Sequence, residues 1–182
     1  MKRRTFLITA AMGLASPLRA FADNDRILIA YFSQTGNTEL IAHDIAEVTG
    51  GDLFEIKTKE PIVGDFDTLV QKARQDLASG ARPALAEKVP NFEQYPVIFL
   101  GFPNWVGTMP MAVFTFIESY DFNGKTVIPF CTHGTSGVSN TMSDLQKTLG
   151  QKASILPYFD VYRNNVADAK PDIERWVKTL DL

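Results

Sequence analysis

Apolar residues in this chain follow two alternating rhythms. The unbroken runs RILIAYFS (Arg26 to Ser33) and PVIFLGF (Pro96 to Phe102) have the length and the turn-forming ends of buried strands. Elsewhere apolar positions recur every three or four residues. Ile41, Ile45 and Val48 follow Thr38 at helical spacing, and Gly50-Gly51 stops that helix. FDTLVQKARQDLAS places Leu69, Ala73 and Leu77 on one helical face, and MPMAVFTFIESY starts a helix with Pro110 near its first turn. DLFEIKT (Asp52 to Thr58) alternates, as a more exposed strand does. After the turn DFNGK come a strand, TVIPFC (Thr126 to Cys131), and a helix, SNTMSDLQKTL, from a Ser139 or Asn140 cap. ASILPYFDV is the last strand and KPDIERWVKTL the closing helix.

Strands alternating with helices predict a parallel sheet covered on both faces, and five strands at this spacing predict a doubly wound α/β fold. In such sheets ligands bind beyond the carboxyl ends of the strands, where strand order reverses. The loops after strands one, three and four are therefore where function is expected. They are SQTGNT, GFPNWVGTMP and CTHGTSG.

The first 22 residues follow a different logic. MKRR forms a basic start, FLITAAMGLA an apolar centre, and SPLRAFA ends in Ala20-Phe21-Ala22, a small-residue cleavage pattern. The apolar run is shorter than the ~18 residues a membrane-spanning helix needs, so no stable membrane insertion is expected. Arg3, Arg4, Thr5, Phe6 and Leu7 resemble a twin-arginine export signal, and Arg19 resembles the basic residue near the cut in such signals. The alternative is an amphipathic terminal helix that stays attached. Export would make the protein periplasmic, with a mature chain starting at Asp23 and one domain over residues 26–182. Loss of Lys2, Arg3, Arg4 and Arg19 leaves 14 of 18 basic residues against 21 acidic ones, a net charge of about −7. That sign repels phosphate backbones and argues against a nucleic-acid partner. One cysteine excludes an intramolecular disulfide, and two histidines, His43 and His133, give little basis for a metal site.

SQTGNT stands at a helix amino terminus, where unpaired N–H groups and a partial positive charge favour an anion. Gly36 permits a tight bend, Ser33, Thr35 and Thr38 bring hydroxyls, and Gln34 and Asn37 bring amides. With no lysine or arginine, and neither G-x-x-x-x-G-K-[ST] nor G-x-G-x-x-G, the loop suits a terminal phosphomonoester rather than a triphosphate or dinucleotide. The competing reading is a plain cap at Asn37 or Thr38 with a turn at Gly36.

YFSQTGNTELIA resembles the phosphate loop of flavodoxins, which holds the phosphate of FMN. IFLGFPNWVGTMPMAVFTFIESYDFNGKTVIPFCTHGTSG is similar to flavodoxin-like proteins with a G-x-P-x-W-x-G-x-x-P loop. The resemblance spans nearly all of the chain after residue 22. It implies sheet order 2-1-3-4-5 and FMN at the switch point. Pro103, Asn104, Trp105 and Gly107 would border the flavin ring; Thr132, His133, Gly134, Thr135, Ser136 and Gly137 would meet its polar edge. Trp105 either offers its ring to a flat heterocycle or packs on the following helix. Val106 stands where many such loops have a second aromatic residue. The acidic, tyrosine-bearing loop of long-chain carrier flavodoxins is absent.

His133 is either a proton donor to a reduced substrate or a polar rim residue. His43 is expected on the solvent side of its helix, Cys131 and Trp176 in the core, and Tyr158 and Tyr162 near the last strand's end. The resemblance implies electron transfer to a redox partner protein, or reduction of a quinone or other small acceptor. No dinucleotide motif points to a dedicated nicotinamide site.

Overall fold

The computed structural model describes residues 26–180 and 182. The expected export signal, residues 1–22, lies outside them. β1 (Ile27–Tyr31), β2 (Asp52–Glu55), β3 (Val97–Pro103), β4 (Thr126–His133), β5 (Ser154–Ile155) and β6 (Phe159–Tyr162) form one parallel sheet in the order β2-β1-β3-β4-β5, with β6 also beside β4. The helices are α1 (Asn37–Thr49), α2 (Phe66–Ser79), α3 (Met111–Glu118), α4 (Thr141–Leu149) and α5 (Lys170–Lys178). The chain steps from β1 outward to β2 and then returns to β3 on β1's other side. The order reverses there, at the carboxyl ends of β1 and β3.

Alternation along the strands divides the core. Leu28, Ala30, Ile98, Leu100, Phe102, Val127 and Cys131 face α3 and α4, where Val113, Phe116, Leu145 and Leu149 close over them. Ile29, Tyr31, Val97, Phe99, Ile128 and Phe130 face the other way, under Ile41 and Ile45 of α1 and Ile173 of α5. Burying one such side chain fully contributes about 1.5–3 kcal/mol, so the two packed faces dominate the stability. Trp176 meets Phe99 and Phe159 and donates its indole N–H to Pro157 O, as core packing predicts.

Three expectations shift. The last strand splits in two. β5 pairs with Thr126 and Val127, β6 pairs from Phe130 to His133, and the break lies opposite Ile128 and Pro129. Pro157 within the break has no N–H to donate, so the ladder cannot run through it. β4 extends to His133, past the expected end at Cys131, because β6 flanks its last four residues. The periodic face of α2 packs thinly: only Ala73 is buried, while Phe66 is 70% and Leu77 42% exposed.

Gly101 marks the tightest packing beside the switch point. A Cβ there would meet Phe130 Cζ at 2.1 Å, and that ring is fully buried. Gly101→Ala should lower unfolding free energy by about 1–3 kcal/mol in chemical denaturation. Adding Phe130→Leu should recover part of the loss; additive losses would show that the ring is not the obstacle.

Candidate functional site

The three loops meet at the carboxyl edge of the sheet around one cavity of about 540 Å³. Its wall includes Gln34, Thr35, Asn37 and Thr38 from the first loop, and Pro103, Asn104 and Trp105 from the second. Thr132, His133, Gly134, Thr135 and Ser136 come from the third. Ser33, Gly36, Gly107 and Gly137 shape the loops without lining the cavity.

The first loop leaves backbone donors free at the start of α1. α1 starts on Gly36, whose φ of 82° is left-handed and which has no side chain to cap the helix. The plain-cap reading of Asn37 or Thr38 therefore lacks its hydrogen bond. The N–H groups of Thr35, Gly36, Asn37 and Thr38 enter none of the backbone hydrogen bonds among the described residues outside helices and strands. Ser33 Oγ accepts the Glu39 N–H at 3.3 Å, which leaves its own O–H free to donate. Asn37 Nδ2 donates to Thr35 Oγ1 at 3.3 Å, holding the loop closed. Gln34 Nε2 donates to Ile62 O at 3.0 Å, tying it to the segment before α2. The buried Thr38 and Thr132 hydroxyls bond at 2.8 Å, joining the mouth of α1 to the end of β4.

The second loop is a two-residue hairpin. Trp105 and Thr108 exchange both backbone bonds, at 2.8 and 3.0 Å, and Val106 and Gly107 have φ values of 46° and 93°. Two consecutive positive φ values match a type I′ turn, which suits glycine but strains a β-branched residue. Asn104 stitches this loop to the third. Its Oδ1 accepts Gly107 N–H at 3.0 Å and its Nδ2 donates to Gly137 O at 2.5 Å. Its amide is thus occupied in positioning both loops. Trp105 packs edge-on against Phe32, just past β1, at 5.3 Å and also lines the cavity.

His133 is held on both sides. Nδ1 lies 2.7 Å from Gly134 O and Nε2 2.9 Å from Asp160 Oδ2. The ring is thus held between a carbonyl and a carboxylate. Its side chain is 11% exposed. Tyr162 lies beside it, ring centres 6.4 Å apart, and Tyr158 is exposed away from the cavity wall. Burial pushes the Cys131 thiol up to about 12, so it stays neutral and unreactive. His43 is exposed on α1, as expected.

Several wall residues were not foreseen. Phe66, Leu69, Val70 and Ala73 of α2 form an apolar side, and Arg163, just past β6, adds a fixed positive charge. The apolar spacing of α2 was visible, but periodicity cannot distinguish a face that covers core from one that covers a cavity. Asp160 is paired to His133 only through the β4–β6 register. No aspartate or glutamate lines the cavity among the described residues. In an acidic chain that clearing favours an anionic ligand.

The architecture defines a doubly wound α/β protein with a cavity at its switch point. The family model described as flavodoxin matches residues 26–180, and the chain belongs to that family. A proposed flavoprotein from Bacteroides eggerthii is 30% identical, with 87% of this chain and 99% of that one covered and a TM-score of 0.77. Another from Bacteroides uniformis is 32% identical over 85% of this chain and 99% of that one, with a TM-score of 0.76. A Lactobacillus acidophilus flavoprotein in complex with FMN shares the fold at 18% identity, covering 81% of this chain and 99% of that one, TM-score 0.65. No curated protein matches. FMN is the cofactor that the family and the neutral donor set support; the residues present fit a phosphomonoester.

The strain at Val106 has a testable consequence. Val106→Asn should raise the unfolding free energy of the ligand-free protein by about 1 kcal/mol, since asparagine tolerates the left-handed region. An unchanged or lowered denaturation midpoint would show that the hairpin does not hold that conformation in solution.

Proposed function

We propose that this protein is an exported, FMN-binding redox flavoprotein. One observation carries the reading: a neutral, N–H-rich cradle and the loops around Trp105 and His133 open on one cavity with no acidic side chain in its wall among the described residues. Thr35, Asn37, Thr38 and the loop backbone would hold the phosphate. Trp105 would lie against the ring, and Thr132, Thr135 and Ser136 would meet its polar edge. FMN supplies one- or two-electron redox chemistry when bound. The chain's share is to bind it, orient it and limit solvent around it.

Electron transfer to a partner protein is the first reading. The second, reduction of a quinone or other small acceptor, is favoured by the apolar side of α2, which extends the cavity wall beyond the cradle. His133 would then deliver a proton only by releasing Gly134 O or Asp160, since both ring nitrogens are engaged. The basic start, short apolar centre and small-residue cut of residues 1–22 support export to the periplasm by a twin-arginine route, which carries folded proteins.

Expression of the full chain should yield a yellow periplasmic protein starting at Asp23 that retakes FMN after stripping. A colourless protein that ignores added FMN would contradict the cofactor, and retention of residues 1–22 in the cytoplasm would contradict export. Gly36→Val should weaken FMN at least tenfold, and riboflavin little, as loss of one charged-acceptor bond of about 1.5–3 kcal/mol implies. Equal losses for both ligands would mean that the phosphate lies elsewhere.

A further inference from the structure

The first loop carries no lysine or arginine, yet the folded site is not without a cation. Arg163 lines the same cavity as Thr35, Asn37 and Thr38, 125 positions or more away in sequence. Two features place it. In the β4–β6 register Thr132 pairs with Val161 and His133 with Tyr162, so Arg163 follows directly beyond the carboxyl edge of the sheet. Thr132 in turn is bonded to Thr38 in the first turn of α1. Val161 belongs to the α1 side of the core, and the short 3-10 helix Arg163–Asp168 packs against α1.

The side chain is also unspent. Arg163 forms no ion pair or side-chain hydrogen bond among the described residues, whereas Arg26, Arg82 and Arg175 each pair with a carboxylate. Among the described residues no acidic one shares the cavity wall with it. A guanidinium at such a place presents several fixed donors that match phosphate oxygens, and its charge does not vary with ordinary pH.

We propose that Arg163 is a phosphate-binding residue of the FMN site, supplying from the far end of the chain the cation that the loop itself lacks. This rests on the FMN reading above and deepens it. The site would combine neutral donors from residues 33–38 with one guanidinium charge reaching the phosphate from the β6 side. The arrangement separates two tasks. The loop sets the position of the phosphate, and Arg163 adds affinity that salt can weaken.

The test is ligand affinity, read by flavin fluorescence on stripped protein. Arg163→Gln should weaken FMN roughly ten- to a hundredfold, the range for losing a charged hydrogen-bonding partner, and leave riboflavin unchanged. Arg163→Lys should recover part of the loss, and the salt dependence of FMN binding should flatten in the glutamine variant. Unaltered FMN affinity in Arg163→Gln would overturn the proposal, as would equal losses for FMN and riboflavin. If wild-type protein takes up riboflavin and FMN equally, the phosphate reading fails before Arg163 is involved.

Discussion

The site depends on a helix whose N-cap residue, a glycine, brings no cap of its own. Gly36 turns through a left-handed conformation and brings no side chain, so of the first-turn N–H groups of α1 only that of Glu39 meets a side chain, Ser33 Oγ, among the described residues. Their summed dipole faces a cavity from which acidic side chains are missing, though the chain as a whole is acidic. The buried hydroxyl pair Thr38–Thr132 fixes that mouth to the end of β4. The mouth of α1 and the end of β4 therefore keep one mutual geometry. Breaking the pair would leave a buried hydroxyl without its partner, at a cost of about 1–3 kcal/mol.

Packing is distributed to suit this. The central strands are sealed on both faces, by α1 and α5 on one side and α3 and α4 on the other. α2 stands apart, with a single buried residue and an apolar edge over the cavity. The loops themselves are held by hydrogen bonds rather than burial. Asn104 joins the second to the third, Gln34 joins the first to the segment before α2, and Asp160 holds His133 from β6. Strain at Val106 sits on the cavity wall, where a backbone held off its preferred conformation is tolerated by the surrounding bonds.

Much of this was legible in the sequence because it is local. Strand and helix alternation, and the placement of SQTGNT, GFPNWVGTMP and CTHGTSG after strands, follow from periods and turn residues within a few positions. What escaped depends on distance along the chain. The split of the last strand needs the register with β4 as well as the proline. Asn104 reads as a ligand contact in sequence, but its amide is taken by Gly107 and Gly137 once the loops are brought together. Asp160 and Arg163 flank the site only because β6 lies beside β4, and no spacing rule links them to residues 33–38.

If residues 33–38 hold FMN as proposed, they grip its phosphate as a dianion. The direct measurement is the phosphorus resonance of bound FMN followed across pH. Held by N–H and O–H donors, the phosphate should remain dianionic well below its free second pKa of about 6, so the bound signal should stay nearly constant from about pH 5 to 8. A bound signal that titrates like free FMN would show a phosphate left in water, and the account of this site would be wrong.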